Sequence, residues 1–150
     1  MAEKISILFL CTGNSCRSQM AEGWARYLKS DLIEAYSAGI ETHGLNPNAV
    51  RVMAEAGVDI SQQRSKHLRE LSDVDFDYII TVCDHARENC PYFPQNTHHI
   101  HAGFPDPPHM ARELAKTGAS VEQQLDCYRK VRDQIRDFVA NLPNSLPLKK

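Results

Sequence analysis

Apolar residues fall in short blocks along this chain, and the blocks alternate with stretches in which they recur every three or four positions. Ile5 to Leu10 is continuous apart from one serine, the pattern of a strand buried on both faces. From Arg17 to Lys29 the period becomes helical, with Met20, Trp24 and Leu28 in line and Ala21 and Ala25 beside them. Ile33 to Ser37 predicts a second strand, closed by Ala38-Gly39. Asn46 and Pro47 supply an N-cap and a first-turn proline for a helix carrying Val50, Met53 and Ala54, and Gly57 stops it. Leu68 to Ser72 predicts a short helix, Phe76 to Val82 a third strand ending at Cys83, and Asp84 to Asn89 a helical segment. His98 to His101 predicts a fourth strand, and Gly103 to Pro108 a proline-rich loop. In the last helix Ser120 and Gln123 form a capping box, and Leu125, Tyr128, Val131, Ile135, Phe138 and Leu142 make one stripe before Pro143.

Strands alternating with helices imply an α/β fold, a parallel sheet with helices on both faces. The 150 residues fit a single domain, 1–150, with no internal repeat or linker. A net charge of −2 gives no basic field for nucleic acid or an anionic membrane, so neither is expected as a partner. No apolar run approaches the roughly 20 residues of a membrane span. The start, Met1-Ala2-Glu3-Lys4, lacks the regions of a signal peptide. A cytoplasmic location is expected, where thiols stay reduced. Five cysteines, an odd number, argue against a disulfide framework. Cysteine here means chemistry, a metal, or a small buried side chain.

The first strand and first helix are joined by Cys11-Thr12-Gly13-Asn14-Ser15-Cys16-Arg17, a cysteine and an arginine with five residues between them. Amides of a loop wrapping into a helix N-terminus converge and favour negative charge. Gly13 and Asn14 best tolerate the left-handed backbone such a wrap needs. Arg17 can grip two oxygens of a tetrahedral anion with its planar fork. The same field should lower the Cys11 pKa from about 8.5 toward about 3.5–7.5 and make it a nucleophile, with Ser18 able to donate a hydrogen bond to the sulfur.

The run Cys11 to Ser18 resembles the phosphate-binding loop of the low-molecular-weight tyrosine phosphatases and of the arsenate reductases that share their fold. Ser37-Ala38-Gly39-Ile40, His43-Gly44-Leu45-Asn46-Pro47-Asn48-Ala49-Val50, Gly103-Phe104-Pro105-Asp106-Pro107 and Tyr128-Arg129-Lys130-Val131-Arg132-Asp133 resemble the arsenate reductase branch, and the spacing of Cys83 and Cys90, with Thr81-Val82-Cys83 and Asn89-Cys90-Pro91, resembles its thioredoxin-coupled members. The resemblance spans nearly the whole chain. It implies a three-layer sandwich with a four-stranded parallel sheet in the order 2-1-3-4, and a binding loop of Thr12, Gly13, Asn14, Ser15, Cys16, Arg17 and Ser18.

Both families use an Asp-Pro as general acid, which Asp106-Pro107 matches; the acid protonates the oxygen that Cys11 displaces. The loop alone does not separate phosphatase from reductase. Cys83 and Cys90 do. In a 2-1-3-4 sheet the first and third strands are neighbours, so Cys83 and Cys11 meet at the carboxyl edge. The resemblance implies a relay Cys11-Cys83-Cys90, regenerated by thioredoxin, that reduces arsenate to arsenite without a bound cofactor. A helix would hold Cys83 and Cys90 about 10.5 Å apart along its axis. A disulfide needs Cα atoms within about 7 Å, so that pair requires the segment to unwind. A zinc site with His85, His98, His99 or His101 is the competing use of these cysteines, and a buried structural role the plainest.

The alternative function is an aryl or phosphotyrosine phosphatase, although Pro108-His109 stands where its aromatic pair is expected. A non-enzymatic oxyanion or arsenite sensor is a third reading, which Arg17 and Asp106 argue against. Some family members bind potassium beside the loop. Asn14, Glu22 and Ser37 match that region, but Lys66 replaces a further carboxylate, so the ammonium is expected to take the place of the ion. A monomer is expected. Cys127 is assigned a structural role, and the stretch His109 to Ala119 a lengthened surface helix.

Overall fold

The run of buried positions expected first becomes the centre of a sheet. In a computed structural model describing residues 4–84, 86 and 97–146, the elements are β1 (Ile5–Cys11), α1 (Arg17–Leu28), β2 (Ile33–Gly39), α2 (Pro47–Glu55), β3 (Tyr78–Thr81), β4 (His98–His101), α3 (Pro107–Lys116) and α4 (Val121–Ala140). All strand pairs are parallel, and the order is β2-β1-β3-β4, as expected. Ile7, Leu8, Phe9 and Leu10 have no exposed surface, which explains the absence of alternation in β1. Burying each such side chain contributes roughly 1.5–3 kcal/mol.

Register carries the site to one edge. Cys11 at the end of β1 pairs with Gly39 of β2, and Leu10 with Thr81 of β3. Thr81 in turn pairs with His101 of β4. The carboxyl ends of all four strands therefore lie side by side, where an open α/β sheet binds its ligands.

The helices form where their signals stand. Asn46 accepts from the amides of Asn48 and Ala49, and Pro47 opens α2. Gly57 ends that turn at a φ of 88°. Ser120 and Gln123 cap α4 reciprocally at 3.1 and 2.8 Å. The α4 stripe packs against α1, α2 and α3. Trp24 docks α1 on it by donating to the Arg132 carbonyl at 3.1 Å.

Several boundaries move. The third strand is Tyr78–Thr81, shorter at both ends than expected, although the amides of Asp77 and Val82 still donate to the β1 carbonyls of Ser6 and Leu10 at 2.9 Å. Residues Leu68–Leu71 form a single 3-10 turn. The proline-rich loop ends at Asp106; Pro107 and Pro108 instead open α3, where a missing N–H is harmless. Helix α3 accounts for most of the His109–Ala119 stretch. Leu142 is fully buried but lies past the end of α4. Cys90, His85 and most of the expected Asp84–Asn89 helix lie outside the described residues. Among the described residues no helix is long and apolar enough to cross a membrane.

Candidate active site

The turn after Cys11 is held from outside by its carbonyls. Ile40, Glu41 and His43 donate backbone N–H bonds to the oxygens of Cys11, Thr12 and Gly13 at 3.3, 2.9 and 3.0 Å. Asn46 donates to the Ser15 oxygen at 3.0 Å, and Ser65 Oγ also donates to Gly13 at 3.0 Å. The amides of residues 13 to 17 donate to no described protein group. With the start of α1 directly behind them, they remain available to an anion.

Of the two residues expected to bend the loop, Asn14 has the left-handed φ of 48°, and Gly13 does not. Gly13 is small for another reason, since a Cβ there would run into the His43 ring. Gly39 is required by close approach. A Cβ on it would come within 2.8 Å of the Asn14 nitrogen and the Thr12 oxygen, besides meeting the Glu41 carbonyl.

Behind the loop lies a buried polar lattice. Asn14 Nδ2 donates to Ser18 Oγ at 2.9 Å, and Asn14 Oδ1 accepts from the Lys66 amide at 2.9 Å and from Gln19 Nε2 at 3.0 Å. Ser18 therefore serves Asn14 rather than the Cys11 sulfur, a correction to its expected role. Ser37 Oγ donates to Glu22, which is 2% exposed and also meets Arg26 at 2.9 Å. Lys66 Nζ sits 3.8 Å from Glu22 Oε1 and donates to the Arg64 carbonyl at 3.0 Å. Burial pulls the Lys66 pKa down, and Glu22 opposes the pull. The ammonium thus faces Glu22, while it is the Lys66 backbone amide that meets Asn14. No group of three or more His, Cys, Asp or Glu among the described residues is arranged to hold a metal.

In front of the loop is a cleft of about 430 Å³. Cys11, Thr12, Gly13, Ser15, Cys16 and Arg17 line it, together with His43, Asn46, Asp106, Pro108 and Arg112. Arg17 is anchored by donating to the Phe104 carbonyl at 2.9 Å, and its Nη2 lies 3.9 Å from Asp106 Oδ1. Asp106 is the N-cap of α3, yet its side chain caps nothing and is 46% exposed at the cleft. The chain from Phe104 to Asp106 thereby brings a carboxyl beside the guanidinium that faces the loop.

Cys83 follows β3 and closes the set from the sheet side. Its sulfur is 3.3 Å from Thr12 Oγ1 and faces the Cys11 thiol. The two thiols share one negative charge. Facing the Cys11 thiol holds Cys83 down at about 5 against the upward pull of burial, helped by the Thr12 hydroxyl, the Ala86 amide and Arg17. Cys11 is pushed well above the usual thiol range by facing Cys83 and by burial, while Arg17 and the Thr12 amide pull it down. A lowered Cys11 is the expectation; Cys83 and burial push it up instead, and the charge of the pair falls on Cys83. Burial also pushes Cys16 up, so it is a neutral wall of the cleft. Cys127 is half-buried on α4, its Sγ 3.9 Å from the Gln123 carbonyl.

The structure thus brings together Cys11, Thr12, Arg17, Asp106 and Cys83, and sets Asn14, Ser18, Glu22, Ser37 and Lys66 behind them. Cys90 lies outside the described residues. His43, Asn46 and Arg112 join the cleft without having been singled out for it. Asn46 reads as a helix cap, yet its Nδ2 also donates to the Tyr128 hydroxyl at 3.3 Å. Arg112 falls one turn after Pro108, a signal hidden while that stretch reads as loop.

The profile of the low molecular weight phosphotyrosine protein phosphatase family matches residues 6–150. An arsenate reductase of Halalkalibacterium halodurans is 47% identical over 129 residues, 86% of this chain and 88% of that protein. A solved arsenate reductase in the phosphate binding state superposes with a TM-score of 0.72 at 31% identity, covering 95% of this chain and 99% of that one. A low molecular weight protein tyrosine phosphatase from T. tengcongensis superposes with a TM-score of 0.71 at 27% identity, covering 95% and 100%.

Proposed function

The chain belongs to the low molecular weight phosphotyrosine protein phosphatase family, and we propose that it is an arsenate reductase that uses Cys11, Cys83 and Cys90 in turn. The observation that carries this reading is the second thiol, Cys83, which faces Cys11 from the edge of the neighbouring strand. A phosphatase needs water as its second nucleophile; a reductase needs a thiol there.

Arsenate enters as a tetrahedral dianion, gripped by the loop amides and Arg17. Attack requires the shared proton of the thiol pair on Cys83, and Arg17 and the Thr12 amide stabilise the thiolate this leaves at Cys11 against the charge of the anion. Cys11 Sγ attacks arsenic, and the displaced oxygen leaves as water with a proton from Asp106. Cys83 then attacks Cys11 Sγ. A sulfur–sulfur bond forms, the sulfur–arsenic bond breaks, and its electron pair stays on arsenic, which leaves as arsenite. Cys90 attacks Cys83 and frees Cys11, and thioredoxin reduces the Cys83–Cys90 disulfide. No bound cofactor is required, the enzyme works as a monomer, and turnover belongs in a reducing compartment, the cytoplasm. Arsenic detoxification is the role this chemistry serves. In the same site Lys66 stands in for a monovalent cation beside Asn14, Glu22 and Ser37.

The test is arsenate-dependent NADPH oxidation with thioredoxin and its reductase. Wild type should turn over, and Cys90→Ser should give a single-turnover burst with little steady state. An inactive wild type with fast aryl phosphate hydrolysis would overturn the reading. Weak aryl phosphate hydrolysis is expected alongside, because Cys11, Arg17 and Asp106 share one cleft.

A further inference from the structure

Three polar side chains at the ends of β3 and β4 have no part in the oxyanion chemistry. Thr81 and His101 are register partners, and Thr81 Oγ1 lies 2.8 Å from His101 Nδ1. On the other side of the ring, His101 Nε2 lies 2.9 Å from Asp84 Oδ1. The chain of bonds is complete in either protonation state of the imidazole. When the ring is neutral, Thr81 donates to Nδ1 and Nε2–H donates to Asp84. When it is charged, Nδ1–H donates to Thr81 Oγ1, whose own proton can go to the Ile100 carbonyl at 3.4 Å.

Asp84 is the residue directly after Cys83. Up to Val82 the backbone is fixed by its neighbours. The Val82 amide donates to Leu10 at 2.9 Å, and its carbonyl accepts from Phe104 at 3.2 Å. The next described tie along the chain, apart from the Ala86 amide on the sulfur itself, is the Asp84–His101 bond. Cys83 is therefore bracketed by an anchor on each side. Local packing preserves the second anchor. A Cβ on Gly103 would come within 2.9 Å of His101 Nε2 and 3.6 Å of Asp84 Oδ1, so a glycine there leaves room for the pair.

We propose that His101 is a positioning residue for Cys83: by holding Asp84 to the end of β4, it keeps the second sulfur within reach of Cys11. The use of this placement in catalysis rests on the reductase reading; the placement itself does not.

The experiment therefore measures the sulfur pair first without arsenate. In the full chain carrying Cys90→Ser, the Cys11–Cys83 disulfide is equilibrated against dithiothreitol buffers and quantified by mass spectrometry. Adding His101→Ala should lower its equilibrium constant about tenfold, the scale of one charge-assisted hydrogen bond. Asp84→Ala cuts the same tie from an exposed position and should do the same, which covers the case in which the histidine variant fails to fold. His101→Gln, whose amide can still donate to Asp84, should recover most of the loss. Affinity for inorganic phosphate, which tests the loop and Arg17 alone, should not change. An unaltered disulfide equilibrium in His101→Ala and Asp84→Ala would overturn the proposal, as would a parallel loss of phosphate affinity. A separate single-turnover arsenate reaction of the Cys90→Ser parent tests the reductase reading. A parent that equilibrates normally with dithiothreitol but forms no disulfide with arsenate would overturn that reading and leave the placement standing.

Discussion

The two sulfurs that meet at the sheet edge are held in opposite ways. Cys11 ends a strand whose seven residues all pair with β2, and it opens a loop whose carbonyls are bonded outward and whose asparagine is locked in a buried lattice. Cys83 lies beyond a strand of four residues. It is secured by the Thr12 hydroxyl, the Ala86 amide and a half-buried histidine acting on the next residue. The difference matches what each must do. Cys11 works on an anion that must find its donors already in place, so rigidity lowers the cost of organising the site. Cys83 must first approach Cys11 and then be given up to a third thiol, which a lattice of the first kind would oppose.

The sharpest way to break this contrast is to remove each sulfur in turn. Cys11→Ser should lower both arsenate reduction and aryl phosphate hydrolysis by at least about four orders of magnitude, because the nucleophile is common to both. Cys83→Ser should abolish steady-state arsenate reduction just as fully, while aryl phosphate hydrolysis stays within about threefold of wild type. If both activities fall together in Cys83→Ser, the two sulfurs do not have separate tasks. The same variant has a spectroscopic signature. In wild type one thiolate should appear at 240 nm as pH rises through about 5, since a lowered pKa means deprotonation at lower pH. In Cys83→Ser that step should vanish, and Cys11 should titrate lower than it does in wild type, because the group that pushes it up most is gone.

Asp106→Asn comes next. Losing a general acid costs typically about 10²–10⁴-fold, and here both activities should fall, since the acid serves the first attack whichever nucleophile follows. The isosteric amide keeps the first turn of α3, so the melting temperature should stay close to wild type; a large drop would mean that Asp106 acts through folding.

How much of this could be read beforehand follows the same division. The loop is legible because its chemistry is local. Strand, cysteine, turn residues, arginine and helix stand in sequence order, and backbone geometry does the rest. Asp106 is legible only through its resemblance. The helix it begins is not, because two prolines in a row read as a loop unless they fall at the two positions where a helix tolerates them. The contact of Cys83 with Cys11 follows once the strand order is known. The charge on the pair does not. The expectation for Cys11 counts Arg17 and the helix terminus, and it leaves out a second thiol facing the first. The Thr81–His101–Asp84 chain is invisible for a similar reason, since it depends on which residues of β3 and β4 fall opposite one another.

Two smaller effects examine the rigid side. Gly39→Ala should lower stability by about 1–3 kcal/mol, as overpacking does, because the atoms it meets, the Glu41 carbonyl and the Asn14 and Thr12 backbone of the anion loop, cannot rotate away. Phosphate affinity should fall with it; a stable variant with intact affinity would mean the loop is more pliant than the Cys11 side of the comparison requires.

The last and smallest concerns Lys66. Glu22 is almost wholly buried and balanced by Arg26, Lys66 and the Ser37 hydroxyl. Exchanging sodium for potassium should leave wild-type activity unchanged, because an ammonium already meets the carboxylate. Lys66→Ala should destabilise the fold by about 1–2 kcal/mol, less than the loss of a buried partner usually costs, since Arg26 still faces Glu22. It should also open the region to a cation, so that potassium raises the melting temperature of the variant and not of wild type. Potassium activation of wild type would sink the idea that Lys66 stands in for the ion. A variant indifferent to potassium would show that Asn14, Glu22 and Ser37 need the lysine for neutrality alone and do not form a cation site when it is gone.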